Sequence, residues 1–356
     1  SLFATETRLR AMGGDQIGIF IYDDTNIFMF PATLTRYSGA VIGELRARNT
    51  PSQYSIGAHL PLTRTMDMAV YLNRPIYLTN MNIPVGVAQM ANVNSVTDVF
   101  WSSQMADFDI GARLTTGFDS YSDDDGTTEV NESARYIAFA GGISGEMFDA
   151  GLLIDLPGES REVNDNETSW SGFGIGINAR AHMMVNNALT VVPAVRFYFQ
   201  SSSAENGTTV DFGRMDLFLG AGLRYSVTEN NLFILGIEGF GLNRLSEEGE
   251  NYEETQTMIN FPGIYLGVES EVTSWLVGRL GARQITTTDR YDYSNSVEQS
   301  GKSRSKSFDI FFGLSVQKGN FILDASVNEG LLFDSVYFIS GIQQSIASQI
   351  SLVYLI

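Results

Sequence analysis

Apolar and polar residues alternate along most of this chain. From Leu189 to Phe199 one parity carries Leu189, Val191, Pro193, Val195, Phe197 and Phe199, and the other Thr190, Val192, Ala194, Arg196 and Tyr198. The stretches 173–183 and 215–225 repeat the pattern, with Arg180 and His182, then Asp216 and Arg224, on the polar parity. A period of two held over about ten residues predicts strands, and tilted strands of that length cross the hydrocarbon core of a bilayer. A soluble β-sandwich alternates too, but its strands usually run to about five or six residues.

The connections carry a second rhythm. Tight turns fall near Gly319, Val272–Thr273, Thr228–Asn230, Val185–Asn187 and Glu146–Phe148. Between them lie long polar stretches at 118–133, 157–169, 201–209, 245–255, 288–303 and 329–344. Short periplasmic turns alternating with long extracellular loops are the habit of outer-membrane barrels. Nearer the front, strands are expected around 39–48, 53–61, 66–73, 96–104 and 107–117, with an insert at 74–95. The predicted fold is all-β: a transmembrane antiparallel β-barrel of about 16 strands over residues 39–356, or 14 if the first pair is misread. The expected location is the bacterial outer membrane.

Residues 1–38 do not alternate. Ala11-Met12-Gly13-Gly14 leads to Tyr22-Asp23-Asp24-Thr25-Asn26 and then to Phe30-Pro31-Ala32-Thr33-Leu34. This order resembles the N-terminal hatch of the long-chain fatty-acid transporter superfamily, and more broadly the shuttle barrels of type IX secretion. Those families carry Asn where Phe30 stands here. The resemblance implies a segment folded into the lumen as a plug, with Asp23, Asp24 and Pro31 in it. It also implies passage of hydrophobic or amphipathic small molecules. Read as plain residues, Gly13-Gly14 and Pro31 are also ordinary turn formers.

The polar parity predicts the lining of the lumen: Arg46, Arg48, Arg113, Arg180, Arg196, Arg224, Arg279 and Arg283, with Asp109, Asp216, Glu238, Glu269 and Asp309. Glu44, His59, Asp67 and Asp324 share that parity. A basic residue facing lipid at the midplane costs about 2–4 kcal/mol, so the charges fix the registers. They fit a structural ladder tying plug to wall, or a path for polar solutes. Arg196, Arg224, Arg279 and Arg283 are expected to point inward and to meet carboxylates or the plug. The apolar segments Ile76-Tyr77-Leu78, Ile83-Pro84-Val85, Leu331-Leu332-Phe333 and Val336-Tyr337-Phe338-Ile339 lie on the loop side, as a ligand pocket or as simple packing over the mouth.

Charge sharpens the picture. Lys and Arg number 22 against 41 Asp and Glu, a net charge of −19 that argues against a nucleic-acid partner. The acidic runs at 123–132, 159–167 and 247–254 lie in the expected loops and lack the ligand spacing of an EF-hand. No cysteine is present, which removes disulfides and thiolate metal sites, and no stretch is long and apolar enough for a membrane helix. His59 and His182 both fall near the periplasmic end, and neither accompanies a nucleophile motif, P-loop or HExxH; no catalysis, cofactor or metal is expected. The expected partners are outer-membrane lipid or lipopolysaccharide, a hydrophobic small molecule, or a protein. The function reads as an uptake channel, with a structural or partner-binding barrel and a general diffusion porin as the alternatives.

Overall fold

The computed structural model describes residues 5–46, 54–75, 93, 95–124, 128–164, 166–205, 208–228, 231–295, 298–327 and 347–356. Arg48, the apolar loop-side segments between 76 and 85 and between 331 and 339, and the stretch 329–344 lie outside them. The strands are β1 (Ala40–Arg46), β2 (Tyr54–Pro61), β3 (Met66–Pro75), β4 (Ser95–Met105), β5 (Phe108–Asp124), β6 (Glu129–Ser144), β7 (Phe148–Val163) and β8 (Asn166–Ala181). A two-residue ladder, β9 (Met183–Met184), continues β8. Then come β10 (Leu189–Glu205), β11 (Thr209–Thr228), β12 (Asn231–Gly249), β13 (Tyr252–Thr273), β14 (Leu276–Ser294), β15 (Gln299–Lys318), β16 (Phe321–Val327) and β17 (Ala347–Leu355). Each strand pairs antiparallel with the next, and β17 closes on β1 with Ala40 opposite Leu355 and Arg46 opposite Gln349. With β9 counted as the tail of β8, the described residues form a closed barrel of 16 strands.

The two faces of the ring follow the parity of the chain. On β17, Gln349, Ser351 and Val353 are buried inward while Leu352 and Tyr354 are exposed outward. The outward set continues around the ring with Trp101, Leu114, Phe139, Leu152, Ile177, Phe199, Leu223, Ile237, Leu266, Leu280 and Leu314. Tyr225, Trp275, Phe321 and Tyr354 are exposed at the end where the tight turns lie, as expected of an aromatic girdle at a membrane interface. Closure pairs the membrane-crossing strands on both sides, as apolar surroundings demand.

One expectation needs correcting. The polar stretches read as loops at 118–133, 157–169, 201–209, 245–255 and 288–303 are largely strand. Val163 pairs with Asn166, Glu205 with Thr209 and Gly249 with Tyr252, so those hairpins turn within a few residues. β13 runs 22 residues, about twice what a bilayer requires. Beyond the membrane both faces meet water, so the apolar parity fades while the backbone ladder, blind to side chains, continues.

Within the ring lies the N-terminal segment. Helix α1 (Glu6–Ala11) is followed by 3-10 turns at Asp15–Phe20, Asp24–Phe28 and Pro31–Arg36. Met12, Ile17, Phe20, Ile21, Ile27, Phe30 and Leu34 are fully buried. The wall makes room through inward-facing glycines. A Cβ on Gly111 would overlap the Pro31–Ala32 peptide, one on Gly281 the Met12–Gly13 peptide, and one on Gly313 the Ala11 side chain. Inserting bulk there should unseat the segment. With Gly281→Leu, trypsin is expected to cut after the otherwise buried Arg8, whereas Gly141→Leu, whose Cβ meets nothing within 4 Å, should leave Arg8 protected. Equal protection in the two variants would contradict this account.

Candidate functional site

The site is the charged seat of the N-terminal segment. Helix α1 is capped by Thr5, whose Oγ1 accepts from Arg8 N at 3.3 Å and donates to Asp324 Oδ2 at 3.2 Å. Arg8 then points its fork into the wall: Nε donates to Glu269 Oε2 at 2.7 Å and Nη2 to Glu269 Oε1 at 2.8 Å. Its Nη1 reaches Asp23 Oδ2 at 3.2 Å, closing the segment on itself. Arg279 approaches the same carboxylate, Nε to Glu269 Oε2 at 2.7 Å, and gives Nη1 to Asp324 Oδ1 at 2.5 Å. All five groups are buried, so each charge depends on the others.

A second cluster grips the middle of the segment. Arg180 donates to the carbonyls of Ile21 at 2.7 Å and Ile19 at 3.1 Å, to Asn26 Oδ1 at 2.8 Å, and to Asp149 Oδ2 at 2.7 Å. Asp149 also meets His182 Nε2 at 2.8 Å, Arg36 at 3.2 Å and the Ser144 hydroxyl. Arg224 lies 4.0 Å from the centroid of the Tyr22 ring and donates to Thr190 Oγ1 at 3.4 Å; its contact with the segment is a cation–π one. Around the rest of the wall, Arg113 donates to Phe28 O at 3.0 Å, Arg196 to Gln16 Oε1 at 2.7 Å and Arg46 to Glu6 at 2.7 Å, while Asp109 accepts from Thr35 at 2.7 Å. Arg196, Arg224, Arg279 and Arg283 thus all face inward, and Arg279 and Arg283 reach carboxylates.

Arg283, Asp309, Asp216 and Glu238 stand apart from the segment's charged contacts. Arg283 pairs with Asp309 at 2.8 Å along the wall. Asp216 accepts from Arg214 at 2.6 Å and from Asn243, and Glu238 accepts from Tyr265 at 2.5 Å. Asp216 and Glu238 border an inner cavity of about 230 Å³ with Gln16, Arg196 and Phe218. Pro31 opens the third 3-10 turn against Gly111 and Gly142. Asp23 caps the second turn, accepting from Thr25 N at 3.0 Å. His59 sits between Tyr37 O at 2.7 Å and the Tyr71 hydroxyl at 2.8 Å.

Several members of the site were not anticipated. Arg8 lies on a helix that alternation cannot reveal. Arg74, bidentate to Asp98 at 2.5 and 2.8 Å and 4.4 Å from the Phe28 ring, fell in the supposed insert. Asp149 and Asp155 fell in a stretch where Leu152, Leu153 and Ile154 blur the parity.

The outer wall carries a different feature, an apolar recess of about 490 Å³ across β3 to β7. Met68, Val99, Trp101, Leu114, Phe139 and Leu152 line it, and the wall there is thinned to Ala112, Ala140 and Gly141. Phe100 and Arg113 also line it, and both meet Phe28: the Phe28 and Phe100 rings lie 5.4 Å apart, edge on.

A closed ring with an apolar outer band, a charged interior and an aromatic rim is a membrane-spanning object. The chain is an outer-membrane β-barrel. No family model matches it, and no curated protein does. Among solved structures it is similar to the deltaS2 mutant of the TodX monoaromatic hydrocarbon channel, at 12% identity over 99% of this chain and 97% of that one, TM-score 0.37. It is similar to the ferric yersiniabactin uptake receptor FyuA from Yersinia pestis, at 8% identity over 89% and 79%, TM-score 0.35. CdiB from Escherichia coli gives 10% identity over 89% of this chain and 62% of that one, TM-score 0.40. At this distance the ring itself, not the likeness, defines the fold.

Asp24 is buried beside Asp23 and Glu44, and burial, then those charges, push its carboxyl well above the ordinary value. The folded state therefore keeps a proton that the unfolded chain releases above about pH 3.9, and stability declines as pH rises past that point. Asp24→Asn should match the parent in melting temperature near pH 4 and exceed it at pH 8; a variant less stable than the parent at pH 8 would refute the assignment. Arg8→Ala, which strands Glu269 and Asp23, is expected to cost about 3–5 kcal/mol. Arg283→Ala, at a half-buried pair, should cost about 1 kcal/mol or less, and denaturant titration distinguishes the two.

Proposed function

We propose that this barrel is a non-enzymatic channel for hydrophobic or amphipathic small molecules, with residues 5–38 as its plug. The apolar recess in the bilayer-facing wall is the observation that carries the reading. It gives an apolar solute a place to leave the wall toward lipid, and its back touches the plug at Phe28. The strands there stay paired, Trp101 opposite Ala112 and Arg113 opposite Ala140, so passage calls for a shift of the segment and a local parting of the ladder. The mixed interior charges are spent on neighbours and on the segment, which supports the ladder role over an anion path. A general diffusion porin needs a continuous water path, and the segment's contacts from β1 round to β17 run across it.

Filling the recess tests the reading. Ala112→Trp with Gly141→Trp should lower uptake of a fluorescent alkyl probe into barrel-containing vesicles several-fold, with the heat-modifiable folded band on a gel unchanged. Unchanged uptake would sink the lateral route. In planar bilayers the parent should be silent, and Arg8→Ala should give intermittent openings. Large steady steps from the parent would favour the porin, and silence in both with a tightly bound copurifying protein would favour a partner-binding barrel.

A further inference from the structure

The outward face carries a cluster of cations that neither the lumen nor the recess uses. On β15 the outward parity reads Lys302, Arg304, Lys306, Phe308, Ile310, Phe312, Leu314 and Val316. The outward positions from Phe308 to Val316 are all apolar over nine residues, about the length that crosses the bilayer, so the three cations lie immediately above that band. The registers bring two more beside them. Arg290 on β14 stands directly opposite Lys302, Thr257 on β13 opposite Arg290, and Arg244 on β12 opposite Thr257. Direct neighbours across strands lie about 5 Å apart, so the row Arg244–Thr257–Arg290–Lys302 with Arg304 and Lys306 beneath it is one continuous patch.

Three observations separate this patch from ordinary surface charge. Above the apolar band, the other outward-facing cation of the described strands is Arg135; all the rest fall on β12, β14 and β15. Two of the chain's three lysines are here, in a protein of net charge −19. All five side chains are exposed, and among the described residues none makes an ion pair, whereas inward Arg46, Arg74, Arg180, Arg214, Arg279 and Arg283 each pair with a carboxylate. The outward rows further up turn acidic, with Asp292 in the next row and Glu248 opposite Glu253 in the one after. The cations therefore form a belt between apolar wall and acidic tips, at the height of lipid headgroups.

We propose that Arg244, Arg290, Lys302, Arg304 and Lys306 form a docking site for the phosphate groups of an outer-leaflet glycolipid. Guanidinium forks take phosphate oxygens in pairs and the lysines add point charge. The acyl chains of the same molecule lie down the wall over Phe308, Leu280 and Leu314, exposed directly below. Charge complementarity and height select the ligand together: a soluble anion would gain from the belt alone, a lipid from belt and wall.

Fluorescent lipid A carrying both phosphates, doped into detergent micelles with the full-length barrel, should bind saturably. Dephosphorylated lipid A should bind at least about tenfold more weakly, and added salt should weaken the phosphorylated form most. Changing all five cations to Gln should reduce affinity at least about tenfold. Arg135→Gln should leave it unchanged, and because all these residues are exposed the variants should keep the folded gel mobility. Binding should persist in chelator, since no metal bridge is invoked. Equal binding by the five-residue variant, equal binding of the dephosphorylated lipid, or loss of binding in chelator (which would assign it to the acidic tips) would each overturn the proposal.

Discussion

Two guanidinium groups share one buried carboxylate inside this barrel. Glu269 takes the fork of Arg8 from the segment and Nε of Arg279 from the neighbouring strand, and Arg279 passes the link on to Asp324. None of these groups tolerates burial alone, because an unpaired charge in a dry site carries a large desolvation penalty. The wall arginines are therefore held inward by the segment as much as the segment is held by them. Removing either side leaves the other with charges it cannot satisfy.

Shape and charge act together in this seat. The glycines at 111, 281 and 313 let the backbone of the segment touch the wall, and the arginines then find carbonyls at hydrogen-bond distance. Arg180 illustrates the combination, since three of its contacts are to a turn whose carbonyls have no helical partners. Tyr22 adds a ring face to the same cluster, with Arg224, Arg36 and Arg180 all within 5.7 Å of its centroid.

The sequence makes the wall legible because a bilayer imposes one rule on every strand: apolar out, ionisable in. Register follows from it, and with register come the directly opposite pairs Glu269–Arg279, Arg283–Asp309 and Asp149–Arg180. Above the membrane the rule lapses, so strands that continue there look like loops. Arg74 escaped for a local reason: the ladder shifts between Tyr71 and Arg74, where Asn73 adopts a left-handed backbone with φ of 58°. Arg8 escaped for a global one. Its partner is 261 residues away, and nothing in a six-residue helix announces which wall it will meet.

Helix α1 rests on the seam where the two ends of the barrel join. Ser351 of β17 donates to Thr5 at 2.8 Å, Thr7 donates to Glu44 of β1 at 3.0 Å, and Gln349 of β17 bridges Glu44 and Glu6. The first described residues therefore cannot complete this set of contacts until the final strand has come home to β1. Closing a loop of more than three hundred residues is entropically uphill until many contacts form at once, so ring closure and docking of the segment are expected as one late cooperative event. On that account the segment's full set of contacts is complete only in a closed barrel, so a docked segment is a mark of a finished ring.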